Sequence, residues 1–221
     1  MEINAETVDE VRHQLKSSFN ELVADARDEY ERMADLQDID TRLSNVIEQE
    51  IRQKIPCGTL PPDFRATVHV RDIIFRDFLY QLVDYLPKGG GSHRRFSQRY
   101  GIIGRSWRSG NSHGTGDAFA GASSEGALVE QWGMTKEEAH GMLNSKHSCL
   151  SIVLRSNNIP VGLLYLDADD RDVFGNDAAA MSLAADLESQ PAVVELAEAV
   201  ERAMAPLRAA APNLDLKELG A

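Results

Sequence analysis

The sequence predicts an α+β fold, with an antiparallel β-sheet in the middle of the chain and helices at both ends. Residues 5–55 contain no Gly or Pro and are rich in helix-forming residues. Residues 148–166 form two short apolar runs joined by an Asn-rich corner, which is typical of a β-hairpin. Residues 176–187 and 191–210 are Ala-rich with helical periodicity, so the chain should end in two helices.

The composition indicates a folded protein with a real core. The chain has 221 residues, of which 43% are apolar, enough for one sizeable domain with extensions or for two small domains. The net charge of −12 argues against general binding to nucleic acids or anionic membranes, because both need a basic surface. Cys57 and Cys149 lie far apart in the sequence, so we expect neither a disulfide framework nor a zinc site.

The N-terminus lacks the basic start and the apolar run of a secretion signal. No stretch approaches the roughly 20 apolar residues that a membrane-spanning helix requires. We therefore expect a cytoplasmic protein with no membrane contact.

The N-terminal segment has the heptad pattern of a coiled coil. Apolar residues recur seven positions apart in two series, Val8, Leu15, Leu22, Leu36 and Leu43, and Phe19, Ala26, Met33 and Ile47. The apolar stripe is narrow, as in a coiled-coil seam, which predicts one long helix or a helix pair that forms a homodimer. The alternative is a helix packed against its own domain.

Residues 56–63 break the helical pattern with Pro and Gly, and the sheet begins after them. Residues 65–71 alternate in the manner of a strand, and 78–86 can form the returning strand of a hairpin. A helix over 73–85 is the competing interpretation. Downstream we expect a short helix over 100–110, a loop over 111–124, a helix over 136–143 and a frayed tail over 213–221.

A basic stretch holds the candidate ligand contacts. Residues 85–116 include six Lys and Arg but no Asp or Glu. The stretch could pair with the acidic N-terminal helix, contact an acidic partner, or bind a small anion, for which the planar fork of Arg is well suited. From charge and loop placement we predict ligand contacts from Arg94, Arg95, Arg99, His113 and Trp132.

Four segments resemble the GAF domain, a small-molecule sensor of signalling proteins. GIIGRSWRSG at 101–110 is similar to the family's GIVGRAW segment. CLSIVL at 149–154 and VGLLYLD at 161–167 resemble two of its strands, and FGND at 174–177 resembles the start of a helix. The resemblance covers roughly residues 60–190.

The resemblance implies an antiparallel sheet of five or six strands flanked by helices, with the first and last helices packed together and often forming a dimer interface. It places a ligand pocket between the sheet and the loops at 88–101 and 111–132. We therefore divide the chain into a helical dimerisation arm (1–55), a GAF-like sensor domain (56–190) and a C-terminal helix with its tail (191–221).

The sequence departs from the GAF members whose ligands are known. Asp167 and Ala168 replace the Asn-Lys pair of cyclic-nucleotide binders, and members that reduce free methionine sulfoxide need more cysteines than two. Cys149 lies in a predicted strand, where we expect it to pack in the core. The acidic loop after Leu166 does not match the EF-hand pattern. The cofactor is therefore unassigned, and no metal is predicted.

Two functions remain open. The first is a non-enzymatic sensor that binds a small anionic ligand and signals through its terminal helices to a protein partner. The second is a ligand-free dimeric scaffold with the same fold, which filled pockets would favour. Ser112, His113 and Asp117 share one Gly-rich loop, and such neighbours do not form an oriented catalytic chain, so no enzyme activity is predicted.

The heptad pattern predicts that the full chain sediments as a dimer at micromolar concentration. Replacing both Leu15 and Leu22 with Asp should produce a monomer, because charges would then lie in the apolar seam. Ser17→Asp adds a charge outside both heptad series and should leave the dimer intact. A monomeric wild-type protein would contradict the coiled coil.

Overall fold

The computed structural model describes residues 28, 36–56, 58–120, 124–140 and 146–210. Four predicted features lie wholly or partly outside these residues: the helical arm before residue 36, Cys57, the end of the helix predicted over 136–143, and the C-terminal tail. Within the described part of the chain, no helix combines the length and the apolar composition needed to cross a bilayer.

In the described part of the chain, one antiparallel sheet of six strands forms the centre of the structure. The strands are β1 (Arg65–Arg71), β2 (Phe78–Gln81), β3 (Arg95–Ser97), β4 (His113–Thr115), β5 (Ser148–Ser156) and β6 (Ile159–Ala168). They lie side by side in the order β3-β2-β1-β6-β5-β4. The central strands β1 and β6 pair through five residues on each strand.

Helices cover both faces of this sheet. They are α1 (Leu36–Val46), α2 (Gly101–Ser109), α3 (Ser124–Glu130), α4 (Lys136–His140), α5 (Asp177–Leu187) and α6 (Pro191–Ala210). The α1 helix continues as a π-helical segment, Ile47–Ile51, and a final turn, Arg52–Lys54. A six-stranded antiparallel sheet flanked by helices confirms the predicted α+β fold class and is the arrangement that the resemblance to GAF domains implies.

The β5–β6 hairpin separates two cores. Its two-residue turn, Asn157 and Asn158, adopts φ values of 50° and 64°, which Asn tolerates better than most residues. Alternate side chains then point to opposite faces. Leu150, Ile152 and Leu154 join the aliphatic core beneath α1, α5 and α6, whereas Cys149 and Val153 join the cluster beneath α2.

The first and last described helices pack side by side, as the GAF resemblance implies. Contacts between α1 and α6 include ion pairs from Arg42 to Glu195 and from Arg202 to Asp38. Ile39 and Leu43 of α1 are fully buried in the same core as the sheet. This part of the predicted arm therefore packs on the sheet.

Two predicted elements differ in detail from the structure. The hairpin of 65–86 is correct and the competing helix is wrong, but β2 is shorter than predicted. Residues 111–124 were expected to form a loop, yet they include the edge strand β4. Its central residue is Gly114, where an added Cβ would lie 2.3 Å from the Ala180 carbonyl oxygen. A three-residue strand that needs Gly for close packing has no recognisable strand pattern.

Asn176 caps α5, which packs against β4. Its Oδ1 accepts a hydrogen bond of 3.0 Å from the Ala179 amide. Asn176→Ala should lower the free energy of unfolding by about 1 kcal/mol, because the amide loses its partner. Asn176→Asp keeps the acceptor and should retain most of the stability in urea denaturation. Equal losses in both variants would show that the cap does not stabilise the helix.

Candidate ligand-binding cavity

A cavity of about 400 Å³ lies between the sheet and the α2 side of the molecule. This volume is within the range of small-molecule sites in proteins. The sheet side is lined by residues of β1, β3, β5 and β6, and the opposite side by residues of 100–103 and by described residues between 118 and 134. The apolar and aromatic lining includes Phe96, Tyr100, Ile102, Ile103, Phe119, Leu128, Trp132, Met134 and Tyr165.

An ion pair on the central strands supplies the buried charge of the cavity. Arg65 of β1 lies opposite Asp167 of β6 and donates two hydrogen bonds to its carboxylate, of 2.9 and 2.7 Å. Asp167 is only 1% exposed. Two-point contact of this kind is the strongest geometry that Arg makes with a carboxylate, and it offsets the cost of burying the charge.

Three basic side chains, Arg65, Arg94 and Lys146, line one part of the cavity, and we call them the cationic cluster. The Arg65 and Arg94 guanidinium carbons lie 4.2 and 5.9 Å from the centroid of the Tyr85 ring. The Lys146 Nζ atom lies 3.8 Å from Asp167 Oδ1. These shared contacts hold the three cations together.

The members of the cationic cluster differ in how far they are neutralised. Arg65 is paired with Asp167, and Lys146 lies 2.8 Å from Asp169 and 3.8 Å from Asp63. Arg94 is exposed and has no ion pair with any carboxylate among the described residues. Arg94 is therefore the cation best able to receive an anionic group.

His69 lines the buried, sheet side of the same cavity. It is 1% exposed, and neither ring nitrogen has a hydrogen-bond partner within the described part of the chain. Phe96 and Tyr165 pack edge-to-face on the imidazole, with ring centroids 5.1 and 5.8 Å away. Burial lowers the pKa of His69 to about 3, so the ring is neutral at pH 7.

Cys149 also lines the cavity, and its thiol is protonated at neutral pH. Burial is the main cause that raises the pKa of the thiol to about 12, and the nearby Asp167 charge adds to it. The Tyr165 hydroxyl lies 3.6 Å from the sulfur. Because the thiolate is the reactive form of Cys, this side chain is a packing group at neutral pH.

The structure places two of the five predicted ligand contacts in the cavity wall, Arg94 and Trp132. The Trp132 Nε1 atom donates a 2.8 Å hydrogen bond to the Ala118 carbonyl, and the Arg105 guanidinium lies 4.9 Å from the Trp132 ring centroid. These contacts hold the indole in place as part of the apolar wall.

The other three predicted residues lie outside the cavity lining. Arg95 donates a 2.6 Å hydrogen bond to the buried Asp72. Arg99 lies beside Ser97. His113 lies on β4, with Nε2 3.1 Å from Ser109 Oγ, and burial together with the Arg105 charge lowers its pKa.

Sequence reasoning did not select the polar groups of the sheet. Arg65 and His69 point to the same face as Thr67 because side chains alternate along a strand. Tyr165 and Asp167 likewise alternate with leucines along β6. A signal for these residues was available in the sequence. They are polar residues at the inward-facing positions of central strands that are otherwise apolar.

Ser112, His113 and Asp117 have separate partners. Ser112 donates a 2.6 Å hydrogen bond to Glu188, and Asp117 lies 2.8 Å from His147 Nδ1. They do not form a nucleophile–base–acid chain. Among the described residues, no group of three or more His, Cys, Asp or Glu side chains is arranged to hold a metal ion.

No protein-family model and no curated protein sequence matches this chain. Several solved structures are similar to this chain, at low sequence identity and with TM-scores below 0.5. A free methionine-R-sulfoxide reductase from Neisseria meningitidis, solved with its substrate, is 17% identical over 83% of this chain and 86% of that chain, with a TM-score of 0.45.

Two GAF-domain structures show a similar degree of likeness. The GAF domain region of a putative membrane protein from Geobacter sulfurreducens is 17% identical over 75% of this chain and 95% of that chain, with a TM-score of 0.48. The GAF domain of the Acinetobacter phosphoenolpyruvate-protein phosphotransferase is 13% identical over 92% of this chain and 97% of that chain, with a TM-score of 0.45.

The buried neutral His69 should make the stability of the protein depend on pH. In the unfolded chain its pKa is about 6.5, so below that pH the unfolded state binds a proton that the folded state excludes. Between about pH 6 and pH 4, His69 should lower the free energy of unfolding by about 1.4 kcal/mol per pH unit. His69→Phe should remove this contribution in urea denaturation. If the free energies of unfolding of the wild-type protein and His69→Phe changed in parallel with pH, this would contradict the burial of a neutral imidazole.

Proposed function

We propose that this chain is a non-enzymatic, GAF-like regulatory domain that binds a small anionic ligand and signals to a protein partner through its terminal helices. The observation that carries the proposal is the cavity beneath α2, whose aromatic wall ends at the cationic cluster. An apolar pocket with a few convergent polar groups is the usual form of a small-molecule site.

The size of the cavity favours a ligand over the scaffold function. A ligand-free scaffold would have this face filled by side chains, because empty volume in a core costs packing energy. Here the sheet and the segments over it leave about 400 Å³ between them. That volume can take a small molecule.

The charge of the lining favours an anion. Among the described residues, three cations and one carboxylate, that of Asp167, line the cavity, and that carboxylate already receives two hydrogen bonds from Arg65. Arg94 can then bind a carboxylate or phosphate through its planar fork. Such a site is notable in a chain with a net charge of −12.

Strand β6 provides a physical route from the cavity to the helices. Tyr165 and Asp167 face the cavity, while Leu164 and Leu166 belong to the core that holds α1 and α6. Lys146 also connects the cavity to Asp63, in the segment that joins the end of α1 to β1. A ligand that attracts Lys146 would favour a different arrangement of that segment, which is the differential affinity that signalling requires.

Two features favour a binding role over catalysis. The Cys149 thiol has a pKa of about 12 and is not nucleophilic at pH 7. The Ser, His and Asp residues of the 112–117 segment bond to separate partners. The protein partner and the homodimer are part of the proposal, with the coiled-coil arm as the expected contact.

Native mass spectrometry of the purified full chain is the direct test of this function. A retained molecule with an acidic group, released on unfolding, would support the proposal. A protein that carries no small molecule and binds none from a panel of short carboxylates and phosphates would favour the scaffold function.

Arg94→Ala should weaken the binding of an anion from this panel by about tenfold, because one charge-assisted contact is lost. Isothermal titration calorimetry measures the change. Arg108→Ala is the matched control, since Arg108 is also exposed but lies on α2 outside the cavity lining, where it bonds to the Gln98 carbonyl. Equal effects of the two substitutions would indicate general electrostatic attraction and not a site at Arg94.

A further inference from the structure

His69 has unused hydrogen-bonding capacity inside the cavity. The side chain lines the cavity, is almost fully buried, and has two nitrogens with no partner among the residues described. A buried polar group without a partner is destabilising, because it has given up its hydrogen bonds to water. The Phe96 and Tyr165 rings that pack on the imidazole are apolar at their contact surfaces and do not offset this cost.

The neutral state of His69 limits which groups can complement it. Burial holds its pKa near 3, so at neutral pH one ring nitrogen donates a hydrogen bond and the other accepts one. A carboxylate can only accept and an ammonium group can only donate. A hydroxyl or a primary amide can bond to either nitrogen, whichever of them carries the proton, and neither brings a second charge into the apolar part of the cavity.

His69 and Arg65, a member of the cationic cluster, lie at separate places along β1. Arg65 and His69 are four residues apart on β1, so their side chains share a face and their Cα atoms are about 13 Å apart. Between them, Thr67 pairs with Tyr165 of β6, whose ring lines the cavity. An elongated ligand can therefore reach both ends at once, with its apolar middle against the aromatic wall.

We infer that the ligand of this cavity is bifunctional, with an anionic group at the cationic cluster and a neutral hydroxyl or amide that hydrogen-bonds to His69 at the other end. This inference rests on the proposed function, because it assumes that a small anion occupies the cavity. His69 is then the residue that determines specificity, and Arg94 supplies affinity for the acidic group of any ligand.

Two probes of equal size test the inference in the full-length protein. They are 3-(4-hydroxyphenyl)propanoate and 3-(4-methylphenyl)propanoate, which differ only in a hydroxyl or a methyl group at the far end from the carboxylate. The wild-type protein should bind the hydroxyl probe about tenfold more tightly in calorimetric titrations, because only that probe bonds to the imidazole. His69→Phe should abolish this preference, and His69→Gln, which keeps a donor and an acceptor, should retain part of it.

Arg94→Ala separates the two ends of the ligand. It should weaken the binding of both probes by a similar factor and leave the ratio of their affinities unchanged. Circular dichroism checks that each variant is folded, and His69→Leu replaces His69→Phe if the latter does not fold.

Equal affinity of the two probes for the wild-type protein, or an unchanged preference in His69→Phe, would overturn the inference while leaving anion binding intact. Failure of both probes to bind would also overturn it, since the hydroxyl probe carries both required groups. Native mass spectrometry of the purified chain, which looks for a retained acidic molecule, then tests separately whether the proposed function itself is wrong.

Discussion

The ion pair between Arg65 and Asp167 is the interaction on which the central sheet and the cavity both depend. It joins directly opposed residues of β1 and β6, the two middle strands. Asp167 is buried, so loss of Arg65 would leave its charge with only the 3.8 Å contact to Lys146, at a cost of several kcal/mol. The same pair places Arg65 beside Tyr85 and Asp167 beside Lys146, and thereby assembles the cationic cluster.

The alternation of side chains on three neighbouring strands gives the sheet two unlike faces. One face carries aliphatic residues such as Val68, Ile152 and Leu164, which α1, α5 and α6 cover completely. The other face carries His69 and Tyr165 as well as the ion pair, and these polar and aromatic groups do not form a closely packed aliphatic layer. The first face therefore stabilises the fold, while the second lines the cavity.

Local sequence patterns were sufficient to predict the elements that depend only on neighbouring residues. The β5–β6 hairpin follows from its apolar runs and its two Asn residues, and the start of α5 follows from the cap at Asn176. The two three-residue strands, β3 and β4, escaped prediction as strands because their existence depends on pairing with distant residues. Of the predicted ligand contacts, Arg94 and Trp132 line the cavity, but charge along the sequence could not show that Arg95 is paired with Asp72.

The sequence by itself determined the fold class, the position of the hairpin and the likeness to GAF domains, because periodicity, turn residues and short motifs are local properties. Only the tertiary structure decided which polar residues meet in the cavity. Arg65 and Asp167 are 102 positions apart, and His69 is surrounded by rings from β3 and β6. Such neighbours are set by strand order and register, which the pairing of the whole sheet establishes.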